Sequence, residues 1–352
     1  MAEVMEHLIN VDDFDFTFAQ DYLSTNGYTE LNIVEMIKEV IAGNTNAVIV
    51  DTFSCLIRQG LGDMTSIYQL TVCLMIVGLF SAVMANMTDI FKGKSVSDTG
   101  FYVCYMAEIL VLLKIFDISV IIAHSAVYKL LEYMRVMVPT FIMTVGITAT
   151  STAIAFYQII LLIFWGVDLL MGGLVLPALK IYILLSLCNN LSKEDLLSKG
   201  IDLIKGFITK INSWSIGVVG VISGLQGIVM PGVDGMKNTV LYKMAGALPV
   251  IGNQSAYLSE VFLGSGRLIK NSAGVVTILI IIMMCAVPVI KLFIVSVMLN
   301  VCGAFIQPVA DKRIFSGFAL VGTGISLLLK TVLSIEIIFV ICVGTICLVT
   351  GG

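Results

Sequence analysis

The residues able to do chemistry are few, and several cluster in a stretch otherwise fit for lipid. Between Phe101 and Ala126 stand Glu108, Lys114, Asp117 and His124. Lys114, Asp117, His124 and Tyr128 are spaced i, i+3, i+10 and i+14, which puts them on one helix face. At the centre of a lipid-facing helix each charge costs at least about 2.5 kcal/mol. They must therefore face a bundle interior, a wet cavity or the membrane interface. Two chemistries are open: a Lys114–Asp117 pair that neutralises itself, or a polar path through the membrane.

A second group sits in Ala245–Gly274, between the apolar runs Trp214–Met230 and Val275–Val301. Gly246, Pro249 and Gly252 break regular helix, while Asn253, Gln254 and Glu260 add polar groups. The stretch is too polar to span a bilayer and too apolar for a solvated loop. At membrane depth, non-helical backbone survives only when buried in protein or lining a wet cavity. We expect it to re-enter the membrane, with Gly246–Gly252 as the turn and Gln254–Leu263 as a short helix. An ordinary solvent-exposed connector is the alternative. Pro288 and Lys291, inside the following run, read as a bend and a side chain serving its freed carbonyls or snorkelling.

Catalytic machinery is not apparent. His7 and His124 are the only histidines. A buried Ser–His pair could come only from Gly264-Ser265-Gly266 with His124, and one serine with one histidine is a weak signal. The eight cysteines form no CxxC pair and have no histidine at ligand spacing, so they read as small hydrophobes. No enzyme, cofactor or metal site is assigned.

The elements that must position these residues follow from composition. Of 352 residues, 58% are hydrophobic and 12% charged, about half the charge of a soluble domain. Uninterrupted apolar runs longer than 18 residues make the chain an all-α polytopic membrane protein; a β-barrel would alternate apolar with polar. Residues 1–65 hold eleven acidic residues against Lys38 and Arg58. They read as an acidic extramembrane helical region, and 66–352 as the transmembrane domain. There is no basic patch for nucleic acid. The start MAEVMEHL lacks the basic and apolar regions of a signal peptide.

In the N-terminal region Thr29 could cap a helix with Ile33, Val34, Ile37, Val40 and Ile41 on one face. Val48–Ile57 repeats that spacing. Such stripes bury against their own chain or dock a partner. The first span is about Tyr68–Met87 and the second Phe101–Ala126. Val136–Cys188 is about 80 Å long as a helix, so it must cross at least twice. Its Thr140, Thr144, Thr148, Ser151 and Ala155 form a small-residue stripe for tight packing or a hydroxyl-lined wall.

Ser192 and Asp195 resemble a capping box. The helix they begin carries Leu197, Ile201, Ile204, Ile208 and Ile211 opposite lysines, the pattern of an interfacial helix. Trp214–Met230, with a Gly220-x-x-x-Gly224 packing face, reads as a short span ending at Pro231-Gly232. Phe315–Val349 reads as two elements meeting near Lys330–Ser334. Together these give seven spans, or eight, with the N-terminus outside.

The GALPVIG knuckle, the SAYLSEVFLGSGRLIKNSAG run, Pro288–Lys291 and the QPVADKR turn at Gln307–Arg313 follow one another in order. Together they resemble the stage III sporulation protein AE family, from about Met64 to the C-terminus and most closely from Gly224 on. The resemblance implies a multi-pass subunit of the channel complex linking mother cell and forespore, in the mother-cell membrane around the forespore. It implies partners among that complex's other membrane proteins, besides the bilayer, with self-association left open. The alternative is a stand-alone secondary transporter, since broken helices build midplane sites. No internal repeat supports that reading.

Overall fold

The computed structural model describes residues 11–60, 68–69, 72, 75–76, 79, 83, 94–148, 150–191, 196–246, 252–308 and 312–349. In lipid, a chain must satisfy its backbone groups internally. Among the described residues every regular element is a helix, without a strand. Three short helices come first: α1 (Thr17–Thr25), α2 (Ile33–Ile41) and α3 (Thr45–Gly60). The long ones follow: α4 (Lys94–Thr148), α5 (Thr150–Asp168) and, through a π-helical segment (Leu169–Val175), α6 (Leu176–Leu191). Then come α7 (Ser198–Gly246), α8 (Gly252–Ile306) and α9 (Lys312–Val349).

The short helices are organised by caps. Asn32, not Thr29, opens α2: its side chain accepts from the backbone N–H groups of Val34 and Glu35 at 3.1 and 3.3 Å. Gly43 closes α2 with φ +86, a conformation other residues adopt only with strain. Between caps, α2 buries Ile33, Met36 and Ile37. The stripe packs within the chain, its Ile33, Met36 and Ile37 joining the buried core, and the segment before it is tied to α4: Tyr22 donates to the carbonyl of Lys129 at 2.9 Å, and Thr140 to that of Asp15 at 2.9 Å. One hydroxyl of the small-residue stripe is therefore tied to the N-terminal region.

The long helices form two antiparallel hairpins. In the first, α5–α6 returns along α4, since Asn190 meets Tyr105 and Lys180 meets Asp117. The two crossings expected within Val136–Cys188 become this reversal near Thr148 and Thr150. Gly172 and Gly173 do not end a helix; they lie in the π-helical segment that carries it on. In the second hairpin α9 returns along α8, with Lys270 donating to the Cys347 carbonyl at 3.3 Å and Ser296 to that of Gly322 at 3.2 Å.

The α9 helix explains why the bundle has few, long helices. Its buried positions run from Ile314, Phe318, Val321 and Ile325 to Phe339, Cys342 and Ile346 in alternating steps of four and three. That heptad stripe is the seam of left-handed helix packing. It passes through Lys330–Ser334 without interruption, so the expected break there does not occur. Gly322 and Gly324 serve close approach instead. A Cβ at 322 would lie 3.2 Å from Asn300, and one at 324 would run into Ile183.

Among the described residues four helices are long and apolar enough to cross a membrane: Tyr157–Leu191, Ser198–Leu225, Arg267–Ile306 and Lys312–Cys347. The window in α9 is 56% buried and that in α7 only 22%, so α9 is central and α7 peripheral. The Phe101–Ala126 stretch, within α4, is not among the four. Tyr68–Met87 lies mostly outside the described residues. The separate interfacial helix and the short Trp214–Met230 span are one element, because α7 runs on past Pro231 to Gly246. Ser192 and Asp195 lie outside the description. A Cβ on Gly220 or Gly224 would meet only open space, so that face has no partner among the described residues. Gln254–Leu263 is not a short helix either. It opens the 55-residue α8.

Candidate functional site

At one end of the bundle α4 and α6 meet the first turns of α9, and a single amide joins them. Asn190, near the end of α6, donates to the Tyr105 hydroxyl on α4 at 3.0 Å and to the Arg313 carbonyl at 2.6 Å. Its oxygen accepts from Ser316 on α9 at 2.5 Å. Using both ends of one amide fixes its orientation and the register of three helices.

Glu108 lies one turn along α4 from Tyr105. It has no exposed surface, and neither carboxylate oxygen has a hydrogen-bond partner among the described residues. Gly317 faces it: a Cβ there would stand 3.8 Å from Glu108 Oε1, 3.9 Å from Asn190 Nδ2 and 3.2 Å from Leu112. Only glycine leaves that space free. Beside Asn190 runs a groove of about 370 Å3 that Glu108 does not line, where Ser186, Asn189, Asp202, Ser316 and Thr323 alternate with Ile201, Ala319 and Leu320. A buried unpaired carboxylate is costly, and ionisable groups inside membrane bundles mark function by default. The arrangement can hold a proton or a small cation and hydrogen-bond a polar solute. It sets no nucleophile against a base, and no cluster of three His, Cys, Asp or Glu exists among the described residues.

The other predicted positions distribute differently. Lys114, His124 and Tyr128 are exposed, and Asp117 is half-exposed. Their common helix face is real, but it looks outward. Asp117 pairs with Lys180 on the returning arm at 3.9 Å rather than with Lys114. The His124 ring stacks on Tyr128, with centroids 6.5 Å apart, and lines a small cleft with Asp168 and Met171. Pro288 and Lys291 are half-buried within an unbroken α8. Gly246 is the last residue given for α7 and Gly252 the first given for α8, and the expected turn between them lies outside the described residues. Pro249 lies outside the described residues. Asn253, Gln254 and Glu260 have helical backbone, with side chains outside the description.

Sequence reasoning found Glu108 and missed Tyr105, Asn190, Arg313 and Ser316. The available signal was the Asn189–Asn190 pair closing an apolar run. Cys285, Cys302 and Cys342 are free and buried, as small hydrophobes would be.

A model of the family described as stage III sporulation protein AE matches residues 31–350. Stage III sporulation protein AE of Bacillus subtilis (strain 168) is 19% identical over 282 residues, 79% of this chain and 70% of that protein. No solved structure matches.

Proposed function

This chain belongs to the stage III sporulation protein AE family, and we propose that it is a membrane-embedded, non-enzymatic subunit of the channel complex linking mother cell and forespore. Its part in sporulation follows from the family. The channel, its placement in the mother-cell membrane around the forespore and its need after engulfment are the reading advanced here. One observation carries it: the family match spans residues 31–350, and among the described residues four helices are apolar enough to cross a membrane. We assign two surfaces within that reading. The polar sequence of the first turns of α8, Asn253 to Glu260, serves partner subunits or the conduit, and the Glu108–Asn190 cluster serves whatever passes or is sensed.

Deletion tests the reading. Growth in rich medium should be unchanged and engulfment should complete, while spore yield falls by orders of magnitude. A tagged copy, extracted after engulfment, should bring down other membrane proteins made at that stage. Normal spore yield would overturn the proposal. So would normal engulfment and yield loss with the protein purifying alone and moving solutes in liposomes, which would make it a transporter.

A further inference from the structure

Among the described residues Glu108 and Lys270 are the charged side chains with no exposed surface. They are treated differently. Lys270 has an acceptor in the Cys347 carbonyl at 3.3 Å, whereas both Glu108 oxygens are without a hydrogen-bond partner among the described residues. The two cannot compensate each other. Glu108 lies by Gly317 and Lys270 by Cys347, about 45 Å apart along α9.

Nor does the surrounding cluster supply a cation. Its ionisable groups are Tyr105 on α4, Cys188 on α6 and Arg313 on α9, which act on the Tyr105 hydroxyl. None of them bonds to Glu108, and burial alone acts on its carboxyl. Asp202 on α7, in the groove beyond Asn190, adds only negative charge. A carboxylate removed from water with no partner takes up a proton instead of staying charged.

A metal ion would need an oxygen shell, about six ligands for a hard cation. The nearby polar groups are already committed. Asn190 spends both N–H groups on Tyr105 and the Arg313 carbonyl, and its oxygen on Ser316. The Ser316 hydroxyl also lies 3.1 Å from the Arg313 carbonyl. On the remaining side stands the apolar Leu112. A route to water does exist. The point that a Cβ on Gly317 would occupy lies 3.8 Å from Glu108 Oε1 and 3.9 Å from Asn190 Nδ2, and Asn190 lines the open groove.

We propose that Glu108 is a proton-binding site, occupied at neutral pH and loaded from the groove beside Asn190 through the gap at Gly317. This names the ligand of the Glu108–Asn190 cluster and rests on the functional reading of that cluster given above. Loading forms one O–H bond on the carboxylate with a proton taken from solvent in the groove; unloading returns it there.

Infrared difference spectroscopy of the full-length protein in detergent tests this, because the C=O stretch of a protonated carboxyl stands clear of amide and carboxylate bands. At neutral pH Glu108→Gln should lose one carboxyl's worth of that band, with elution unchanged. Glu336→Gln, which removes the half-buried acid of α9, should keep the Glu108 component. Alkaline titration of that variant should then abolish the band reversibly, a measure that needs no change at Glu108. In heavy water the component should shift as its proton exchanges. Gly317→Ala fills the gap and should slow the exchange several-fold. Identical neutral-pH spectra for wild type and Glu108→Gln would overturn the proposal, since the carboxyl would then be ionised against a cation. Exchange as fast in Gly317→Ala as in wild type would overturn it too. These readouts need neither sporulation nor a partner subunit, so failure of the proton site and failure of the channel reading are told apart.

Discussion

Asn212 on α7 donates its side-chain amide to the hydroxyl of Thr331 on α9 at 2.8 Å, with both residues buried. Thr331 in turn donates to the Leu327 carbonyl at 2.8 Å. The bond links the most peripheral of the long apolar helices to the most central one. Side-chain hydrogen bonds between membrane helices contribute about 0.6 kcal/mol on average, up to about 1.7. Asn212→Ala should lower thermal stability by that order. Thr331→Val should cost more, about 1–3 kcal/mol, because it leaves a buried amide without an acceptor. Thermal unfolding in detergent of both single variants and the double measures the coupling. A double variant equal to the sum of the singles would show the bond contributes nothing.

Gly274 and Cys347 make the second test. A Cβ at 274 would run into Cys347 Sγ and lie 3.4 Å from the Phe141 ring. The helices approach here because neither position carries bulk. Gly274→Ala should destabilise by about 1–3 kcal/mol through overpacking. Cys347→Ala removes the sulfur and should recover most of that loss in the double variant. The yield of monodisperse protein reports both effects. Failure of the second change to rescue the first would place the strain elsewhere.

Composition made the helical, membrane-adapted class legible, while the turn expected around Pro249 lies outside the described residues. Helix length was misread because Gly, Pro and single charges were taken as breaks. In packed helices glycine also serves close approach, as at Gly322 and Gly324, and the heptad stripe of α9 keeps Lys330 and Glu336 off the buried seam. That stripe was present in the sequence and is the signal that should have prevailed. The site was legible only in part. Glu108 is conspicuous as an acid among apolar residues, but Asn190 reaches Tyr105 across 85 residues and Arg313 across 123. Local spacing has no information about such pairings. It also could not say that the Lys114–His124 face turns outward.

Burial separates the two acids of α4. Asp117 and Lys180 are each about half exposed, at 51% and 53%, and exposed pairs contribute roughly 0–1 kcal/mol. Asp117→Asn should leave membrane level and spore yield unchanged. Glu108 has no exposed surface and no hydrogen-bond partner among the described residues. Glu108→Gln keeps its shape and should preserve the fold while lowering spore yield about ten-fold or more. Immunoblots of membranes alongside heat-resistant spore counts check both. A normal yield with Glu108→Gln would reduce the carboxyl to a structural remnant.

The N-terminal helices supply a pH test. Tyr22 on α1 donates its hydroxyl to the Lys129 carbonyl on α4 at 2.9 Å. Burial, then the nearby negative charge of Glu132, pushes its pKa up to about 12, from an ordinary value of 10.0. The folded value is raised, so this contribution is complete below about pH 10 and is lost as pH rises towards 12. A phenolate can no longer donate to a carbonyl, so the contact fails as the group ionises. Wild-type protein given brief pulses of an alkali-tolerant protease should show cleavage within residues 11–41 rising across that window. Tyr22→Phe should be cleaved somewhat faster at pH 8, having lost a hydrogen bond of about 1 kcal/mol. Between pH 10 and 12 its rate, corrected for protease activity, should rise less than that of wild type. Parallel curves for the two proteins would mean that Tyr22 does not control docking of the acidic helices onto α4.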